Sequence, residues 1–280
     1  MLIKPPFYFA NAVDNIAGTV ATAPGTTVAL GANSADGSVV EVLSALAFDA
    51  HYLVIGFSNT NSVGANRQAL MDILVDPAGG TSWASLIDDL VCGQCIAVAA
   101  GSQGMTLWYH FPLFVRAGSS IGARGRNAHT SGVNAQCVIY AMGEPSRPDA
   151  WWCGQKVESL GIDAASSKGT TVTPGDSSTF GSWTNIGGPA AARYGAIQFG
   201  VNGSDADMLQ VAYNWEIGYG AARLPGSPRF WVSADTAERA VKVGFGQPIF
   251  CDIAEGTQLQ ARAACSGTAE DWNAALYGVH

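Results

Sequence analysis

Pro112-Leu-Phe-Val-Arg-Ala-Gly118-Ser-Ser-Ile121-Gly-Ala123-Arg124 returns later in the same chain as Pro248-Ile-Phe-Cys-Asp-Ile-Ala-Glu-Gly256-Thr-Gln-Leu259-Gln-Ala261-Arg262. Gly118 and Gly256, Ile121 and Leu259, Ala123 and Ala261, and Arg124 and Arg262 all differ by 138, so the block repeats without a gap. In both copies the glycine permits a turn with positive φ, the aliphatic residue drops into a core, and the alanine two positions on shares its face. The arginine then points outward. Both copies close on an apolar run ending in glycine, Val138 to Gly143 and Ala274 to Gly278. Self-similarity of this kind decides what one folding unit is, and here it predicts two.

Working outward, Tyr52-Leu-Val-Ile55-Gly-Phe57 aligns with Tyr194-Gly-Ala-Ile197-Gln-Phe199, and Asp72-Ile-Leu-Val75 with Asn214-Trp-Glu-Ile217, both at a difference of 142. The two prolines that open the block set Phe114 against Phe250, and at the front Pro24 falls against Pro174 at a difference of 150. The drift places small insertions between blocks, in loops. A chain of 280 residues fits two domains, each long enough to close an apolar core. The joint is placed near Glu144-Pro-Ser-Arg-Pro-Asp149, where two prolines cannot continue a sheet ladder. The expected domains are residues 1–147 and 148–280. Two repeats are too few for a solenoid.

Hydrophobic residues make up 48% and charged residues 13%, with 34 glycines, which excludes a disordered chain. The net charge of −8 and the scarcity of lysine (Lys4, Lys156, Lys168 and Lys242) argue against a nucleic-acid groove, because phosphate binding needs clustered cations. No apolar run approaches membrane-spanning length, and the opening Met1-Leu-Ile-Lys-Pro-Pro-Phe lacks the pattern of a secretory leader. None of the six cysteines falls at equivalent positions in the two copies, so free buried thiols in a cytosolically folded chain are expected rather than a disulfide framework.

Short apolar or alternating runs bounded by Gly, Asn, Ser or Pro recur throughout, including 52–57, 69–75, 105–111, 136–140, 196–201, 211–217 and 258–263. Turn signals come about every 8–12 residues, the spacing of an antiparallel sandwich. The exception is Trp83-Ala-Ser-Leu86-Ile87-Asp-Asp-Leu90, whose three-four-seven spacing fits a short helix or a loop over the sandwich edge. The expected fold is all-β: two tandem jelly-roll-like antiparallel β-sandwiches arising from an internal duplication.

The pattern Phe48-Asp49-Ala-x-Tyr52-Leu-Val-Ile, Leu70-x-Asp72-Ile73-Leu-Val, Phe114-x-x-x-Gly118-x-x-Ile121-x-Ala123-Arg124, Val-Ile-Tyr-x-x-Gly143 resembles the β-sandwich virion proteins of tailed bacteriophages and gene transfer agents, which decorate heads or form head spikes and tail-side fibres. The resemblance covers most of both copies. It implies a structural protein that docks on other virion proteins of the capsid, neck or tail, commonly as a trimer or pentamer. It carries over no catalytic residue.

Gly118-Ser-Ser-Ile-Gly122 has the letters of a nucleophile elbow, but that motif leads into a helix, whereas the residues that follow read as a strand. Copy two has no serine there. Cys92-Gly-Gln-Cys95 has the spacing of half a zinc site, with no second pair among His51, His110, His129 and His280. Asp205 and Asp207 in Asn202-Gly-Ser-Asp-Ala-Asp207 could ligate calcium, yet the loop lacks a distal carboxylate, so a solvated turn is expected. Asp88 with Asp89, like Asp205 with Asp207, are carboxylate neighbours in sequence, which is no evidence of glycosidase separation. Trp151 and Trp152 are assigned to the joint between copies, and Trp231, with Trp83 and Trp183, to packing or sugar stacking. Arg116, Arg124 and Arg126 form the one local positive cluster. Because Arg124 recurs as Arg262, these two arginines are expected to serve the fold or a repeated contact, with a carboxylate or carbonyl on a neighbouring chain as partner.

The expectation is therefore a non-enzymatic structural protein of a phage particle, located in the virion, homo-oligomeric, with no cofactor, no metal, no nucleic acid and no membrane. The alternative is a carbohydrate-binding adhesin that recognises host-surface polysaccharide. Burial of the tryptophans separates the two.

Overall fold

The computed structural model describes residues 9–11, 25–59, 67–95, 107–128, 130, 133–143, 152–203, 212–224, 230–234, 241–243, 248–267 and 271–280. The first half holds β1 (Phe9–Asn11), β2 (Thr26–Leu30), β3 (Val40–Leu43), β4 (Tyr52–Asn59), β5 (Arg67–Asp76), β6 (Ala84–Cys95), β7 (Leu107–Phe111), β8 (Ser120–Asn127) and β9 (Val133–Met142). The second holds β10 (Val157–Leu160), β11 (Thr170–Val172), β12 (Thr184–Asn185), β13 (Tyr194–Gly203), β14 (Ala212–Tyr219), β15 (Ala222–Arg223), β16 (Phe230–Ala234), β17 (Val241–Val243), β18 (Ile249–Ile253), β19 (Leu259–Cys265) and β20 (Trp272–Val279). The fold is all-β, as the alternating runs require.

In the first half, β2, β9, β4 and β7 are neighbours in one sheet, and β3, β8, β5 and β6 in the sheet that faces it. This is the strand order of a jelly roll. The second half gives β11, β20, β13 and β18 in one sheet and β12, β19, β14 and β16 in the other, the same order. The halves share a layer. β10 pairs in parallel with β6 at Val157 and Ile87, joining the second sheet of the first half to the first sheet of the second half in one nine-stranded sheet.

Three layers therefore enclose two cores. Within β20, Trp272, Ala274 and Leu276 face the second core while Ala275, Tyr277 and Val279 face the first. Every residue of this strand is buried, which explains why it reads as an apolar run rather than an alternation. In β4, Leu53, Ile55 and Phe57 are almost wholly buried in the first core, and on the opposite face Tyr52 is half-buried and Val54 buried.

The segment expected as a helix or loop is strand β6. Leu86, Ile87, Leu90 and Val91 are all buried, and the pairing of β5 with β6 shifts register between Met71/Leu90 and Ile73/Ile87. A bulge adds one residue to one strand and slips the alternation, which produces a helix-like spacing. Asp89, inside the bulge, takes φ 57°.

Strand register corrects the sequence alignment. Asp72 pairs with Arg124 and Glu216 with Arg262, so Asp72 answers Glu216, at a difference of 144 rather than 142. Likewise Val28 faces Ala135 and Val172 faces Trp272, which sets Val28 against Val172 and displaces the pairing of Pro24 with Pro174. Leu53 faces Phe111 and Ile197 faces Ile249, so Phe250 answers Pro112 and not Phe114. At each of these places the repeated letters sit two or more residues out of structural register.

Candidate functional site

Two loops of the same shape hold the repeated arginines. The Gly125 carbonyl accepts the N–H groups of Gly31 and Gly37, both at 2.9 Å, and the Ala263 carbonyl accepts those of Gly175 at 3.0 Å and Gly181 at 2.9 Å. Asn33 and Ser34 have φ 52° and 58°, and Ser177 and Ser178 have 51° and 67°. A side chain at Gly31 or Gly175 would run into the loop's own backbone, within 2.0 Å and 2.3 Å of a carbonyl oxygen. Each loop therefore delivers one residue to the same place beside an arginine: Asp36 in the first half, Phe180 in the second.

Arg124 donates through Nε to Asp72 Oδ2 at 2.9 Å, and its Nη2 lies 3.2 Å from Asp36 Oδ2. Arg126 bridges Asp36 Oδ1 at 3.3 Å and Asp89 Oδ1, while the backbone N–H of Asp89 donates to Asp72 Oδ1 at 2.9 Å. This is a closed network of two guanidinium groups and three carboxylates on the outer face of β5, β6 and β8. Burial pushes the Asp89 carboxyl up to about 6, against the pull of Arg126. Arg126 Nε is buried without an acceptor.

In the second half Arg262 donates through Nε and Nη2 to Glu216 Oε2, at 2.9 and 2.7 Å, and Glu216 is 2% exposed. Its guanidinium carbon lies 4.7 Å from the centroid of the Phe180 ring and 4.4 Å from that of Trp183, a cation–π stack. The partner expected on a neighbouring chain is thus found in the same chain. Residues paired across antiparallel strands project to one side, so Asp72 and Glu216 stand directly opposite their arginines. Arg116 is not in this network and stays exposed in the turn before Gly118.

The other sequence candidates disperse. Gly118, at φ 85°, turns into strand β8, and Ser119 and Ser120 are each 1% exposed. Cys92 is buried in β6, where burial holds its thiol far above the ordinary range; the side chain of Cys95 lies outside the described residues. Asp205 and Asp207 also lie outside them, as does Trp151. Among the described residues no group of three His, Cys, Asp or Glu side chains could hold a metal ion. Asp88 takes a hydrogen bond from Ser85, and its carbonyl takes one from Ser159.

Trp215 and Trp272 are fully buried, with Trp272 4.7 Å from the Tyr213 ring and 6.1 Å from Trp215. Trp231 belongs to β16, and its side chain lies outside the described residues. Trp152 is 50% exposed and its ring lies against Gly195 of β13, two residues before Gly154, which bonds to Pro112 and Phe114. An aromatic group that the sequence reading missed stands on the outer face of β4, β7 and β9. Trp108 stacks on Tyr140 with centroids 6.0 Å apart and planes at 20°, and Tyr52 lies 6.1 Å from His110. A Cβ at Gly56 would come within 2.6 Å of the Trp108 ring, so the ring lies flat on the glycine. The signal was there in the cross-strand match of a glycine with a tryptophan.

No protein-family model and no curated protein matches the sequence. Among solved structures, the chain is similar to PNGF-II, with 10% identity and a TM-score of 0.38 over 91% of this chain and 66% of that one. It is similar to a Broad Bean Stain Virus chain at 10% identity and a TM-score of 0.35, over 91% and 87%. It is also similar to the tandem CBM22-1-CBM22-2 domain of Paenibacillus barcinonensis Xyn10C, at 9% identity and a TM-score of 0.25, over 86% and 82%. At these scores none of the three bears on what the chain does.

Proposed function

We propose that this chain is a structural protein of a tailed-phage or phage-like particle, built into the head, neck or tail through contacts with other virion proteins. The observation that carries the reading is the use made of the residues best suited to chemistry. Trp215 and Trp272 fill a core, and Arg124 and Arg262 close cross-strand pairs with Asp72 and Glu216. The sequence resemblance supplies the particle. In this reading the units are residues 1–147 and 148–280, copies of one jelly roll, and the assembled form is a trimer or pentamer. Mass spectrometry and electron microscopy of purified particles test it: the chain is expected at a fixed copy number per particle. Its absence from washed particles would overturn the reading.

A second reading, a carbohydrate-binding adhesin, is favoured by the flat, partly exposed Trp108 on Tyr140, since an aromatic face matches the apolar face of a sugar ring. Retention on immobilised neutral polysaccharide that is lost in Trp108→Ala would support it.

A further inference from the structure

The two halves share a strand order but part company at one edge of the second sandwich. Glu41 answers Asn185, since each faces the same repeated position across its sheet, Gly122 and Gln260. Leu46 answers Ala190: the Gly118 N–H donates to the Leu46 carbonyl and the Gly256 N–H to the Ala190 carbonyl, both at 2.8 Å. Between these fixed points the first half carries two buried apolar residues, Val42 and Leu43. The second half carries Ile186 alone, followed by Gly187-Gly188-Pro189. One apolar side chain that closes the first sandwich here has no counterpart in the second.

A cleft of about 560 Å³ opens at this edge, with Glu158, Gly161, Lys168, Thr171, Gly187 and Gly188 in its lining. Its size falls in the range of small-molecule sites, roughly 300–1,000 Å³. Gly187, at φ 69°, rests its backbone on Gly161, and a Cβ there would come within 2.5 Å of the Gly161 nitrogen. Gly188 has no such need of glycine: it lies outside the left-handed region, and nothing stands within 4 Å of a Cβ built on it.

A second feature peculiar to this half converges on the same cleft. Tyr194 stands where the first half has Ala50, because Tyr194 faces Ile253 as Ala50 faces Val115. The Tyr194 hydroxyl and the Ala191 N–H both donate to Glu158 Oε2, the latter at 3.0 Å, and Oε1 has only the Ala191 N–H at 3.4 Å. The carboxylate is thus held in place while much of its accepting capacity is unspent. Asp163, by contrast, is spent on its own turn, taking the Ala165 N–H at 3.1 Å and the Ser166 hydroxyl at 2.5 Å. The half-buried Lys168 closes no ion pair among the described residues.

We propose that this cleft binds a neutral, polyhydroxylated molecule, a short saccharide. An unspent carboxylate oxygen and an unpaired ammonium call for a ligand that donates to one and accepts from the other while carrying no net charge. A hydroxyl does both at once. The bare main chain of the glycine loops lets a sugar ring come close, which a side chain at those positions would prevent. The site belongs to the second half, whereas Trp108 belongs to the first, and it does not depend on the chain being part of a particle.

Amide-resolved NMR titration of the full chain with cellotriose, maltotriose and chitotriose tests it. At millimolar sugar, one of them is expected to move the amide signals of Gly161, Gly187 and Gly188 together. Glu158→Gln and Lys168→Met are each expected to weaken that sugar about tenfold or more, the loss that follows when a charged group leaves a hydrogen bond. Lys168→Met decides the matter where Glu158→Gln also loosens Tyr194. Gly188→Trp is expected to abolish the response with thermal unfolding unchanged, and Trp108→Ala to leave it intact. If no sugar shifts these amides, or if Gly188→Trp binds like the parent, the proposal is overturned. Binding that disappears in Trp108→Ala and survives in Gly188→Trp would move the sugar to the sheet face of the first half, overturning the cleft while leaving the adhesin reading in place. Stronger shifts with triglycine than with any sugar would make the ligand a peptide and overturn the saccharide assignment.

Discussion

The ring of Phe180 lies 4.7 Å from the guanidinium carbon of Arg262, at the position where the first half places the Asp36 carboxylate against Arg124. One loop shape thus serves two chemistries. A carboxylate and an aromatic face both attract a guanidinium, so the site tolerates exchange of one for the other. The opposite carboxylate is the stronger requirement, because Glu216 is 2% exposed and is left without its ion pair if Arg262 goes.

Arg262→Ala is expected to cost about 2–3 kcal/mol, the penalty of a buried carboxylate that loses its guanidinium, with Glu216→Gln costing less. Phe180→Asp is expected to stay within about 1 kcal/mol of the parent, since it installs the pairing of the first half. Urea denaturation at low and high salt measures all three. A Phe180→Asp loss above that of Arg262→Ala would refute the equivalence of the two loops.

The Asp89 carboxyl gives the fold a pH dependence of predictable sign. Its folded value of about 6 lies above the unfolded value of 3.8, so the folded chain holds the extra proton between them. The stability this confers is fully present below about pH 4 and is lost as pH rises through about 6. With its remaining exposure to solvent, the swing attributable to Asp89 is expected at about 1–2 kcal/mol. Asp89→Asn should remove that component of the stability curve while keeping the positive φ that asparagine accepts. A curve unchanged between pH 4 and 6 in the variant would contradict the assignment.

Tyr277 ties the last strand to the bulge of β6. Its hydroxyl accepts the Val91 N–H at 2.8 Å and donates to the Asp89 carbonyl at 3.1 Å. Tyr277→Phe strands a buried N–H and is expected to cost about 1–3 kcal/mol. Tyr140→Phe, at the equivalent position on a partly exposed face, should cost less than about 0.5 kcal/mol. Equal losses in chemical denaturation would mean that the two tyrosines carry the same load.

Gly118 and Gly256 have φ 85° and 81°, and nothing lies within 4 Å of a Cβ built on either. Alanine at either site therefore meets only backbone strain, expected at about 1–2 kcal/mol and equal in the two positions. Thermal unfolding of the two single variants checks the equality. A loss at one glycine alone would show that the turns do different jobs.

The block from Gly118 to Arg124 and its return from Gly256 to Arg262 are legible because each residue type there answers to local geometry. Glycine marks a positive φ, the aliphatic residues Ile121 and Leu259 mark buried strand positions, and Ala123 and Ala261 follow on the same face. The Leu86-to-Leu90 segment was misleading for the opposite reason: a bulge changes the phase of alternation, and phase is all that a pattern of apolar residues records.

By itself the sequence determined an all-β chain of short strands, the turn glycines, and the two arginines that recur. Tertiary structure alone decided what those arginines hold and which faces remain open. Arg124 and Asp72 are 52 residues apart, and Asp36 and Phe180 reach their arginines only because a loop closes on the carbonyl of Gly125 or Ala263. Tyr140 and Tyr277 look alike in sequence, yet one is partly exposed and the other sealed, because β10 adds to the edge of β6 and lays one jelly roll against the next. Cross-strand register and layer stacking act between residues far apart in the chain, where no local pattern of letters can record them.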